Sequence, residues 1–240
     1  MVAQPVMTPH SEPIRLKGGF ADDSPVGGLV TDWLQTGDAR GRREKRYMQE
    51  EQADEFMSKN YSTWVQGLSD HQREALLHYT SGSTQTNIEL RTRSNEMTDE
   101  QRARIGHTDA AIRSARLAHP MDVYRGMSDT AKAEYQRKGW LNKGAVFDDL
   151  AFTSTSMTPY TPINNYSDEN GVVVRVRLRE GQATGMIGNR GTYGRDGGLT
   201  THEETEVLLP RGTKYRVLDS ALVEGPGGTR HVIDVEVIDE

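Results

Sequence analysis

Between Gly171 and Arg179 the chain alternates by parity. Val172, Val174, Val176 and Leu178 occupy one set of positions, and Arg175, Arg177 and Arg179 the other. A period of two matches the pleat of a β-strand, whose successive side chains leave on opposite faces. The run therefore predicts a half-buried strand with an apolar face and a charged one. One apolar face needs a second layer, and the segments upstream are suited to supply it. Ser69 with Gln72, and Thr98 with Gln101, stand at capping-box spacing and predict helices over Asp70–Tyr79 and from Thr98 to about Ala118. Ser83 or Thr84 can cap a short helix through Asn87, Ile88, Leu90 and Arg91, and a polar helix is expected over Glu44–Lys59.

Further strands follow. Met121–Gly126 reads as a short strand, Ser128–Lys138 as a helix stopped by Gly139, and Val146–Ser156 as extended. Gly181–Thr201 reads as a long Gly-rich loop and Glu204–Leu209 as a strand. Lys214–Glu224 and Thr229–Val237 form a hairpin about Gly225-Pro226-Gly227-Gly228. Helices first and strands afterwards predict an α+β fold with an antiparallel-rich sheet. Residues 1–43 are rich in Pro, Gly, Asp and Ser and read as a loose arm. Residues 44–240 read as one domain, helical over 44–120 and β over 121–240.

Composition removes several function classes. None of the 240 residues is cysteine, so disulfides, thiolate metal sites and a Cys nucleophile are out. A net charge of −6 argues against coating nucleic acid. No apolar run is long enough to cross a membrane, and Met1–Pro13 lacks the pattern of a secretory signal. His71, His78, His107, His119 and His202 match no zinc spacing, and no metal is expected.

Three short motifs in the β half could carry chemistry. Val123-Tyr124-Arg125-Gly126 puts an arginine, whose rigid fork suits phosphate, at the end of a strand. Phe152-Thr153-Ser154-Thr155-Ser156 places Ser154 and Ser156 on one strand face. No Asp/His pair at recognisable spacing marks either serine as a nucleophile. Glu204-Thr205-Glu206 sets two carboxylates on one face, roughly 7 Å apart along a strand. Glu203, at odd spacing, should face away. Each motif alone could be a solvated strand.

In this order the motifs resemble the Arg–Ser–Glu class of mono-ADP-ribosyltransferases, over about Tyr79 to Arg216. The resemblance implies an ADP-ribosyltransferase-like fold with a two-sheet β core, and NAD as substrate. Tyr79, Asn87 and Arg91 would belong to the first NAD-contacting helix, with Arg91 on phosphate. Arg125 would hold NAD phosphate, and Gly126 would offer backbone groups to the nicotinamide amide. Ser154 would orient Glu206, with Thr155 and Ser156 supporting the strand. Glu206 would be the catalytic carboxylate, and Glu204 would deprotonate the acceptor. A Glu-x-Glu pair implies arginine on a target protein as acceptor; a Gln-x-Glu pair would suggest Asn. The resemblance also implies a monomer acting in a host-cell cytoplasm, as an injected effector or a phage-encoded protein. Thr201 stands where family members often carry an aromatic, and Tyr193 is the nearest one. An NAD glycohydrolase on the same fold, or a non-catalytic binding module, would use the same residues differently.

Overall fold

Both capping boxes form. Ser69 Oγ accepts from the Gln72 amide at 3.3 Å while Gln72 Oε1 accepts from the Ser69 amide at 3.0 Å. Thr98 and Gln101 repeat the exchange at 3.2 and 2.7 Å. Each box satisfies two donors that a helix start leaves open. The computed structural model describes residues 50–93, 96–188, 199, 205–225 and 228–238. The expected arm, residues 1–43, lies outside them.

Helix α1 spans Glu50–Gly67, α2 Asp70–Thr92 and α3 Asp99–Ser114. The helix expected to stop near Lys59 continues because its apolar stripe continues. Ala53, Met57, Tyr61, Val65 and Leu68 recur every third or fourth residue, and all are buried. The two short helices expected on either side of Ser83 are one helix, α2, interrupted at Gly82, whose φ of −153° and ψ of 33° are not helical. Helix α3 ends at Ser114, short of Ala118, with Ala115 extended as its C-cap.

Strand β1 (Met121–Met127) is followed by α4 (Asp129–Lys138), capped by Ser128 and closed by Gly139 at φ 72°. Next come β2 (Val146–Asp149), β3 (Thr153–Ser156), α5 (Tyr160–Asn165) and β4 (Val172–Leu178). Then follow β5 (Gly185–Ile187), β6 (Glu206–Leu209), β7 (Thr213–Gly225) and β8 (Gly228–Ile238). The hydrogen-bonded order is β2-β7-β8-β4-β1-β3-β6-β5. Among the described residues every pairing is antiparallel except β4 with β8. The mixed α+β class, helices before a large sheet, is as expected.

The two-sheet description needs one correction. Hydrogen bonding runs through all eight strands, but β1 and β3 share a single pair, Tyr124 with Ser156. Five strands and three strands meet at that one point. The half-buried reading of β4 also needs correcting. The strand lies between β1 and β8, and Arg175 is buried opposite Asp234 on β8. Asp234 accepts from Arg175 Nε at 3.0 Å and Nη2 at 2.7 Å, and from Arg177 Nε at 3.2 Å. A buried charge is retained only where it is paired, and here the pairing partner comes from a distant strand.

The segment expected as loop between Gly181 and Thr201 contains β5, an edge strand on β6. Gly185 lies against α3: a Cβ there would stand 3.2 Å from Ile112. One core lies around α1 and the centre of the sheet, including Met57, Val123, Val174, Val207 and Ile233. A second joins α2 and α3 to β5 and β6 through Leu76, Tyr79, Ile112, Phe152, Ile187 and Leu208. Among the described residues no helix is long and apolar enough to cross a membrane.

Candidate active site

Strand β6 enters the sheet at Glu206, which stands opposite Ser156 of β3 and Ile187 of β5. Side chains on one face repeat every second residue, so Glu206, Leu208, Ser154 and Ser156 share a face. Leu208 packs beneath α2 and α3. The same face carries Glu206 beside the stretch of α2 around Gly82. Between them opens a cleft of about 470 Å³.

Most of the residues singled out in the sequence meet there. Asn87, Arg91, Arg125, Gly126, Ser154, Thr155 and Glu206 all line the cleft. Glu206 is only 8% exposed. Thr205 is buried beside it, and its hydroxyl lies 3.2 Å from that of Ser156. Ser156 Oγ also accepts from the Thr158 amide at 3.1 Å. By register the serine facing Glu206 is Ser156, while Ser154 stands opposite Leu208. Thr155 Oγ1 donates to the Val207 carbonyl at 2.6 Å, tying β3 to β6.

Arg125 occupies the place where β1 and β3 part. Beyond the Tyr124–Ser156 pair the backbones no longer bond each other. The guanidinium takes up the freed acceptor: Arg125 Nη1 donates to the Ser154 carbonyl at 2.9 Å. Arg91 is held just as firmly from α2. Its Nε and Nη2 donate to the two Asp149 carboxylate oxygens at 2.9 and 2.8 Å. Burial works against the Arg91 charge, but the Asp149 pair outweighs it, and the guanidinium pKa moves up. Asp149 also accepts from the Ala151 amide at 3.0 Å, so the carboxylate itself is fixed. Sequence reading did not mark Asp149. The pair joins residues 58 apart, and no local spacing announces it.

Tyr79 does not line the cleft. It lies buried behind Asn87, edge-on to Phe152 at 5.3 Å, and its hydroxyl accepts from Asn87 Nδ2 at 2.9 Å. Burial, then the Glu206 charge, push the Tyr79 pKa upward, so it stays a neutral hydroxyl. The second Asn87 group behaves differently. Asn87 is 8% exposed, and its Oδ1 is buried with no hydrogen-bond partner among the described residues. An orphaned acceptor on a cleft wall is an anchor for a ligand donor, such as a ribose hydroxyl or an amide. Glu204, the partner carboxylate in the motif, lies outside the described residues, as do Glu203, His202, Thr201 and Tyr193.

On the opposite lip stands α5, which sequence reading missed because six residues carry too little periodicity. Its Pro162 lines the cleft, as does Tyr166, which is 54% exposed. Gly126 permits this approach. A Cβ there would meet the Pro162 carbonyl oxygen at 1.9 Å and the Ser167 amide nitrogen at 3.0 Å. Both are backbone atoms with no rotamer to escape into. Gly126→Ala is therefore expected to cost about 2–3 kcal/mol or to displace α5 from the cleft. Urea denaturation with a midpoint equal to that of the parent would contradict it. Among the described residues no group of three His, Cys, Asp or Glu could hold a metal ion.

Residues 53–240 match the family model described as ADP-ribosyltransferase exoenzyme. No curated protein sequence matches the chain significantly. Several solved toxin structures share the fold. Plx2a, an ADP-ribosyltransferase toxin from Paenibacillus larvae, superposes with a TM-score of 0.67 at 20% identity, covering 80% of this chain and 98% of its own. The C3 exoenzyme of Clostridium limosum gives 0.66 at 17% identity, with coverages of 82% and 98%. C3stau2 from S. aureus, solved with NAD, gives 0.66 at 17% identity, with coverages of 83% and 100%.

Proposed function

The chain belongs to the ADP-ribosyltransferase exoenzyme family, and from that premise we propose that it transfers ADP-ribose from NAD to an arginine side chain of a target protein. NAD is the substrate of this family's toxin enzymes. The acceptor residue and the division of labour between the carboxylates are the proposal.

The observation that carries it is the meeting in one cleft of Arg125, Ser154 and Glu206 with Asn87 and Arg91. Arg91 and Arg125 bring two guanidinium groups to the cleft, suited to the pyrophosphate of NAD. Asn87 Oδ1 is ready to accept from a sugar hydroxyl or an amide. The bond that breaks joins the ribose C1′ to the nicotinamide nitrogen. Its electron pair passes to the pyridinium, which leaves as neutral nicotinamide. Positive charge then develops on the ribose, as in glycoside hydrolysis. A fixed, nearly buried Glu206 carboxylate favours that charge more in the transition state than in the ground state.

An arginine acceptor is a poor nucleophile while protonated. Its attack on C1′ requires loss of a proton to a nearby base. Glu204, two residues from Glu206 in the sequence, is the group to which this reading gives the proton. Arginine is favoured over Asn because Glu, not Gln, stands at this position.

Glu204→Gln separates the readings. Transfer of labelled ADP-ribose to protein arginine is expected to fall by about two orders of magnitude. Nicotinamide release with water as acceptor should persist. Unaltered transfer to arginine would remove Glu204 from the mechanism. Nicotinamide release that no added protein from host lysate accelerates would favour the glycohydrolase reading. A host-cell cytoplasm as the place of action is likewise proposed. The modified band in such a lysate would test it.

A further inference from the structure

Asp149 is not among the residues that line the cleft, yet both of its carboxylate oxygens hold parts of it in place. Oδ1 accepts from Arg91 Nε at 2.9 Å and from the Ala151 amide at 3.0 Å. Oδ2 accepts from Arg91 Nη2 at 2.8 Å and from the Thr153 hydroxyl at 3.4 Å. The backbone is held as well, because the Asp149 carbonyl accepts from the Gly212 amide at 2.7 Å. Asp149 is the last residue of β2 and pairs with Thr213 of β7. Two residues earlier on β2, Phe147 is buried. Its ring stacks on Trp140 with centroids 5.0 Å apart and lies 5.2 Å from that of Tyr215. The carboxylate is thus anchored by β2, by β7 and by the entry to β3.

Arg91 reaches this anchor from α2, 58 residues away in the chain. Its side chain is 40% exposed, and that of Asp149 17%. A long side chain so exposed samples many rotamers when unpaired, and fixing it on binding costs affinity. A two-point pair with a fixed carboxylate removes that freedom beforehand. The pair uses Nε and Nη2, and Nη1 takes no part in it. The same acid also opposes an incoming anion. Solvent screens that repulsion at this exposure, whereas the fixed rotamer is kept in full. Pre-organisation is the larger effect.

We infer that Asp149 is a positioning residue for NAD, holding Arg91 in the orientation in which its guanidinium meets the pyrophosphate. The inference rests on the reading of Arg91 as a phosphate contact. It gives Asp149 a part in binding and none in bond breaking, because the carboxylate reaches the cleft through Arg91.

The test uses the full chain, with calorimetric titration of NAD and single-turnover release of nicotinamide. Four variants are compared: Asp149→Ala, Asp149→Asn, Arg91→Gln, and Arg91→Gln combined with Asp149→Ala. Asp149→Ala should weaken NAD binding roughly three- to tenfold. Release at saturating NAD should stay within about twofold of the parent. Asp149→Asn, which keeps one acceptor, should lose less, and it carries the comparison if the alanine variant does not fold. The double variant should bind NAD no more weakly than Arg91→Gln alone, since Asp149 acts through the arginine. A role in strand stability alone would lower the melting temperature and act equally in both backgrounds. Additive losses in the double variant would therefore overturn the inference, as would NAD binding that is unchanged or tighter in Asp149→Ala. In either case binding of NAD by the parent leaves the reading of the cleft standing. A parent chain that binds no NAD would overturn both.

Discussion

Glu206→Gln is expected to slow nicotinamide release by about two to three orders of magnitude while leaving NAD affinity within a few-fold of the parent. The substitution keeps shape and removes charge. Glu206 is pinned from both sides, by Ser156 on β3 and Ile187 on β5, so an isosteric amide has no reason to move the strand. What disappears is the negative charge that the ribose cation would meet. In the proposed mechanism ground-state NAD would be held chiefly by the guanidinium groups and Asn87, which the change does not touch. The effect should therefore fall on kcat and spare the dissociation constant. Single-turnover release of nicotinamide, paired with calorimetric binding of NAD, separates the two. A variant that turns over at the parental rate would remove Glu206 from the chemistry, whatever its position.

The second large effect is on stability. Asp234 is 1% exposed and holds the buried Arg175 in two-point contact across the parallel β4–β8 pair. Asp234→Ala would take the two-point partner from a buried guanidinium, leaving the longer Asp122 contact at 3.8 Å, and the loss should be about 3–5 kcal/mol. Arg177, more exposed, adds little to this figure because solvent screens it. The pair itself need not be worth that much. Replacing both partners by apolar residues, Arg175→Met with Asp234→Leu, should recover most of the loss, since the charges that lose a partner, Arg177 and Asp122, are partly exposed rather than buried. Urea unfolding of the parent, the single variant and the double variant supplies the comparison. A single variant within about 1 kcal/mol of the parent would mean that water reaches Arg175 readily.

These two residues show what was legible in the sequence. Glu206, Arg125 and Ser154 were each singled out from a short local motif, and all three line one cleft. Helix starts were legible for the same reason: Ser69–Gln72 and Thr98–Gln101 are local exchanges. Arg175 read as solvated because its partner is 59 residues away. Asp149 went unmarked although it fixes Arg91, and Tyr79 read as a ligand contact when its hydroxyl serves Asn87 from behind. Register also mattered. Ser154 and Ser156 share a face, and only strand pairing reveals that Ser156 is the one across from Glu206. The three-residue edge strand β5 has no period to detect. In each miss, a tertiary partner decided what local pattern could not.

The lone Tyr124–Ser156 pair has a consequence for how the molecule yields. A ladder is locally cooperative, and one with a single rung has little to resist opening. β7 and β8 are by contrast paired along nearly their whole length. Amide hydrogen exchange should therefore be faster in β3 than in the centre of β8. A ligand that spans the junction from Arg125 to Glu206 would act as a clasp across the split. NAD would then slow exchange on both sides of it, so the substrate itself would supply cohesion that the backbone leaves out.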